Sequence, residues 1–161
     1  MKTKELEYFL FNHIRKTGRY ISFEMEVPLK VISSYDKPFA VNLGAERVDM
    51  IAYDESDDAW MFYELKVSVS DFHSKAKLSF QGNYNYLVMP EDTFEKVKGE
   101  IPSGLGVYLA RDNGTTWCYA APKRKELGCD RALLKESFMR SLSNSVQKFY
   151  LKQHSFGAVI K

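Results

Sequence analysis

Near the start of the chain, Leu6, Phe9, Leu10, His13 and Ile14 fall on one stripe at helical spacing, which predicts a helix over Lys4–Lys16 that Gly18 ends. Tyr20 to Lys30 alternates and is rich in strand formers, so a strand is expected that stops near Pro28. Ser33 to Gly44, with Pro38 and Gly44, reads as irregular. Glu46–Tyr53 and Ala59–Val67 are two strand-like runs joined by the acidic turn Asp54-Glu55-Ser56-Asp57-Asp58. Ser70 is placed to cap a helix from Asp71 to about Gln81, with Phe72, Ala76 and Phe80 as its stripe. A buried strand over Tyr84–Met89 is stopped by Pro90 and followed by a helix over Glu91–Lys98. Gly106–Ala110 is a further strand, and Asp112-Asn113-Gly114 turns the chain into Thr115–Ala121. Asp130 to about Gln153 reads as a long amphipathic helix. The order α-β-β-β-α-β, then α-β-β-α, predicts a mixed α/β protein with a sheet at its core.

Length and composition narrow this to one soluble domain over residues 1–161. The 161 residues are 45% apolar and 27% charged, with eleven Phe, ten Tyr and two Trp to fill a core. No apolar run reaches the roughly 18–20 residues of a membrane span, so no membrane partner is expected. Cys118 and Cys129 are too few for a disulfide framework and read as thiols in a reducing cytoplasm. The net charge of +2 conceals an asymmetry: residues 1–110 sum to −4 and residues 111–161 to +6. A basic C-terminal third suits either a solvated helix face or a polyanion, because Lys and Arg replace the counterions of a phosphate backbone.

The segment richest in chemistry is Arg47-Val48-Asp49-Met50-Ile51 with Phe62-Tyr63-Glu64-Leu65-Lys66. With the turn centred between Ser56 and Asp57, Asp49 falls directly opposite Glu64, where Cβ atoms are roughly 4.5–5.5 Å apart. The two-residue strand period puts Lys66 on the same face. Two opposed carboxylates among Ile51, Tyr53, Trp60 and Phe62 repel each other and resist losing water. A divalent cation removes that conflict, and Mg²⁺ (or Mn²⁺) keeps several waters for phosphate oxygens. An ammonium alongside can orient the attacking water, so the three groups form a minimal kit for phosphodiester hydrolysis. The bland alternative is a solvated hairpin with Lys66 pairing across the strands.

Val48-Asp49-Met50-Ile51, Tyr63-Glu64-Leu65-Lys66-Val67-Ser68 and Ser70-Asp71-Phe72 together resemble the PD-(D/E)xK nuclease superfamily. More narrowly they look like the MmcB-like DNA-repair branch and its phage-borne relatives, although Val48 stands where the pattern has proline. The resemblance implies a restriction-endonuclease-like core, α-β-β-β-α-β, over about residues 4–89, and leaves the extension of about 90–161 without a family motif. It implies that Asp49, Glu64 and the backbone carbonyl of Leu65 hold the metal and that Lys66 serves the water. Such families add an acid from the first helix, for which Glu5 is favoured over Glu7, with Glu24 and Glu26 on the first strand as rivals. Lys75, Lys77 and Gln81 are the family-type candidates for holding the scissile phosphate, and His73 reads as surface or as support behind the site.

In the tail, Lys123, Arg124 and Lys125 form a basic cluster suited to DNA phosphates. Leu133, Leu134, Phe138, Leu142, Val146, Phe149 and Tyr150 make a stripe on the final helix that packs on the body or on a second copy, so a homodimer is allowed for. The expectation is therefore a metal-dependent deoxyribonuclease of DNA repair or phage DNA metabolism. Its rival is a non-catalytic DNA-binding or regulatory module that keeps the same fold.

Overall fold

A computed structural model describes residues 1–28, 45–74 and 78–154. The stretch expected to be irregular, Ser33–Gly44, and the candidates Lys75 and Lys77 lie outside the described residues. Helix α1 (Thr3–Ile14) buries Leu6, Leu10 and Ile14 and ends through a 3₁₀ turn, Arg15–Thr17, at Gly18. Gly18 has φ +75°, the left-handed conformation that glycine adopts without strain. The strands are β1 (Tyr20–Pro28), β2 (Ala45–Asp54), β3 (Ala59–Leu65), β4 (Tyr84–Pro90), β5 (Gly106–Ala110) and β6 (Thr116–Ala120). The helices after α1 are α2 (Val69–Phe72), α3 (Glu91–Val97) and α4 (Arg131–Gln153).

The six strands form one mixed sheet in the order β1-β2-β3-β4-β5-β6. β1, β2 and β3 are antiparallel, β3, β4 and β5 are parallel, and β6 returns antiparallel to β5. On one face, α1 covers Met50, Ala52, Met61, Tyr63, Leu65, Val88 and Tyr108. The other face carries two separate apolar clusters. Leu134 and Phe138 of α4 pack on Met25, Val48, Ile51, Trp60 and Phe62. Phe94 and Val97 of α3 pack on Leu87, Met89, Val107 and Leu109. None of the helices in the described residues is long and apolar enough to cross a membrane.

The helix expected over Asp71–Gln81 is instead the single turn α2, and its cap is Ser68 rather than Ser70. Ser68 Oγ accepts the Asp71 N–H at 3.1 Å, while Asp71 Oδ2 accepts the Val67 N–H at 3.0 Å, a reciprocal cap set two residues earlier. Leu78–Gln81 is not helical; Phe80 takes φ +47° and the Ser79 N–H turns to Glu46. Phe72 and Phe80 still reach the α3 cluster, from different pieces of chain.

A second departure lies in β1 and β2. Strict alternation forbids Val48 and Ile51 from sharing a face, yet both join the α4 cluster. Likewise Phe23 packs on the α1 side and Met25 on the α4 side. The phase slips at Glu24, whose φ is +47°, between the pairs Phe23↔Met50 and Met25↔Val48, and therefore opposite Asp49.

Across the β4–β5 pair, Gly106 lies beside Tyr86. A Cβ there would enter the van der Waals envelope of the Tyr86 ring and come within 2.9 Å of Pro122 Cδ. Gly106→Ala should lower the urea unfolding free energy by about 1–3 kcal/mol, because neither neighbour is free to withdraw.

Candidate functional site

The ladder between β2 and β3 runs from Asp54↔Ala59 to Met50↔Tyr63 and stops there. Asp49 and Glu64 are the next residues along that register, so they stand where the strands part. Strands that part leave backbone donors behind, and Asp49 Oδ2 takes one of them, the Leu65 N–H, at 2.9 Å. The phase slip at Asp49 turns its side chain toward β3 for this bond. In an extended strand the N–H and C=O of one residue point to the same edge. The Leu65 carbonyl therefore faces the β2 side as well, while the Lys66 N–H points the other way and donates to the Val88 carbonyl at 2.8 Å.

Glu64 pairs in register with Leu87 and follows Phe62 by two, so its side chain falls where the two apolar clusters of that face meet. It is 7% exposed, and its Oε1 is buried with no hydrogen-bond partner. Burial pushes its carboxyl up to about 9, reinforced by a hydrogen bond to the Asp49 side chain and by that residue's charge. Lys66, also buried, opposes the shift through its own charge. At neutral pH Glu64 thus carries a proton shared toward Asp49. Asp49 and Glu64 thus touch, and the charge of Lys66 reaches Glu64.

The supplementary acids do not join them. Glu5 Oε2 accepts the Lys2 N–H at 2.6 Å and caps α1. Glu24 falls opposite Asp49 in register, but its left-handed backbone directs it to Lys4 Nζ at 3.3 Å. Glu26 lines a polar groove between β1 and α4. Among the described residues, no three Asp, Glu, His or Cys side chains converge at metal-binding distance.

Besides Asp49, the acid whose charge reaches Glu64 is Glu46. It accepts the Ser79 N–H at 2.8 Å and is hydrogen-bonded to Ser79 Oγ, tying residues 78–82 to β2. Strand alternation from Asp49 puts Glu46 on the wrong face, so sequence reasoning missed it; the slip in phase is what the pattern concealed. Gln81 lies on this tied segment, its Oε1 buried and unpartnered, its carbonyl accepting the Gly128 N–H at 2.8 Å. His73 is exposed and pairs with Glu100 at 2.6 Å.

The basic cluster is elsewhere. Arg124 Nη1 pairs with Asp57 Oδ2 at 2.7 Å and its guanidinium lies over the Tyr84 ring. Asp57 is in the β2–β3 turn, beyond the end of β3 remote from Glu64. Lys123 and Lys125 are exposed beside Arg124, with their backbone N–H groups bonded to Gly104 and Asn83. Cys118 is exposed and Cys129 buried, with no disulfide joining them.

No family model matches the chain, and neither does any curated protein. Among solved structures, it is similar to a protein of unknown function from Silicibacter pomeroyi, with a TM-score of 0.69 and 16% sequence identity. The match covers 99% of this chain and 97% of that one. At this identity the likeness establishes the mixed α/β fold alone.

Two measurements check the electrostatics. Asp49→Ala leaves the Leu65 N–H without its acceptor and should cost about 1–3 kcal/mol in chemical denaturation, whereas Asp49→Asn keeps an acceptor and should cost much less. Glu64 binds its proton more tightly folded than unfolded, so its stabilisation is complete below the ordinary carboxyl range and declines as pH rises toward 9. Thermal melts from pH 5 to 9 should show that decline, on the order of 3 kcal/mol by neutral pH, and Glu64→Gln should flatten it.

Proposed function

We propose that this chain is a divalent-metal-dependent nuclease that hydrolyses DNA phosphodiester bonds, in DNA repair or phage DNA metabolism. The observation that carries the reading is the pairing of the Asp49 and Glu64 carboxyls beside the buried Lys66, where β2 and β3 part. The order α1-β1-β2-β3-α2-β4, with β4 parallel to β3, is in keeping with a restriction-endonuclease-like core.

The donor set suits a hard cation. Glu64 Oε1 is a buried acceptor without a donor, Asp49 has one oxygen committed to Leu65, and strand geometry turns the Leu65 carbonyl to the β2 edge. Two carboxyls and a carbonyl form a partial oxygen shell, as suits Mg²⁺ or Mn²⁺, which retain waters. Such an ion supplies Lewis acidity at a phosphoryl oxygen and lowers the pKa of a bound water. For Glu64 to act as a ligand it must first release the proton it holds at neutral pH. Lys66, whose charge reaches the pair, would orient the incoming water and offset charge gathering on the phosphoryl oxygens. Asp49 serves twice, since its bond to Leu65 also fixes the carbonyl direction.

Labelled single-stranded, nicked and duplex DNA, incubated with Mg²⁺, Mn²⁺ or EDTA, tests the proposal. Cleavage should require the metal and fall by about 10²–10³-fold in Glu64→Gln and in Lys66→Ala. Tight DNA binding with no cleavage under any metal would instead establish the non-catalytic module. Calorimetric titration of Mn²⁺ in buffers of different ionisation enthalpy should register close to one proton released per ion bound near pH 7, and none in Glu64→Gln.

A further inference from the structure

From Met139 onward, α4 leaves most of its apolar side chains exposed. Met139, Val146, Phe149 and Tyr150 are each 61–65% exposed, against complete or near-complete burial of Leu134 and Phe138 earlier in the same helix. Monomers seldom present so continuous an apolar surface without a use for it. Met139, Leu142, Val146 and Phe149 are spaced three, four and three apart, the alternation of a coiled-coil seam. At about 100° per residue the seam is turned roughly a quarter-circle from the side that Leu134 and Phe138 press on the sheet. Leu142 is partly buried against the α4 cluster, so the seam continues outward from the core.

We propose that this seam pairs with the α4 seam of a second copy, antiparallel and about a two-fold axis, making the protein a homodimer. The pattern is self-complementary in that direction: Met139 falls opposite Phe149 of the other copy, and Leu142 opposite Val146. The four exposed side chains offer roughly 500 Å² per copy, so the pair removes about 1,000 Å², where specific interfaces begin. This proposal does not depend on the nuclease reading.

Sedimentation equilibrium of the full chain at hundreds of micromolar should give twice 18.6 kDa. Val146→Glu with Phe149→Glu should return it to the single-chain mass. The circular-dichroism spectrum and melting profile of that variant should still be those of a folded protein, since both side chains are exposed within one copy. In a Cys118→Ser background, an equimolar mixture of Met139→Cys and Phe149→Cys should cross-link on mild oxidation, and neither alone should do so. A wild-type chain that stays at the single-chain mass overturns the proposal. So does a dimer that survives the double substitution, or one in which Met139→Cys cross-links to itself.

Discussion

One bond organises the region on which the functional reading rests: the Leu65 N–H donating to Asp49 Oδ2 at 2.9 Å. It forms where the β2–β3 ladder has ended, satisfying a backbone donor that the parting strands would leave buried and unpaired. The same bond turns Asp49 along the sheet toward β3, bringing its carboxyl to Glu64. Because the two backbone polar groups of a residue in a strand point to one edge, it also sets the direction of the Leu65 carbonyl. Two carboxyls therefore meet as a by-product of ending one ladder.

The parts of this arrangement differ in how visible they are along the chain. The hairpin register is plain, because an acidic turn of defined centre between two runs of strand formers leaves one pairing that buries Ile51, Trp60 and Phe62 together. The pairs Met50↔Tyr63 and Ile51↔Phe62 are those the turn predicts. After β3 the pattern is ambiguous, because Ser68 and Ser70 can each serve as a cap. What separates them is the distance to Asp71: only Ser68 stands three residues before it, where each side chain can bond the other's stretch of backbone. Glu46 was invisible for a different reason. Its placement depends on a left-handed residue at Glu24, and nothing in the local sequence marks a glutamate for that conformation. Alternation then fails silently in both strands.

The candidate site also divides the sheet's second face. Apolar packing on that face is interrupted between the α4 cluster and the α3 cluster, and Glu64 fills the interruption. Residues 78–82 come back across it, held to β2 by Ser79 on Glu46 and to the segment before α4 by Gln81 on Gly128. Both ties are polar and reach across long sequence separations, so this crossing segment is anchored by hydrogen bonds where a helix would have been anchored by an apolar stripe. That explains how Phe80 can take φ +47° and still reach the α3 cluster.

A buried acid at position 64 is costly in a way that its neighbours make avoidable. Leucine would meet Phe62 and Leu87 with no desolvation penalty, and glutamine would bond Asp49 without a charge to suppress. Instead the carboxyl is held protonated at neutral pH, with one oxygen lacking a donor, beside a second acid and a buried ammonium. Structural ion pairs form between opposite charges; two acids placed together gain nothing from each other unless a proton or a cation lies between them. A proton fills that role in the isolated chain, but only by leaving Glu64 Oε1 unsatisfied. A cation would satisfy both carboxyls at once, and for that reason the acid pair points to ligand chemistry more than to stability.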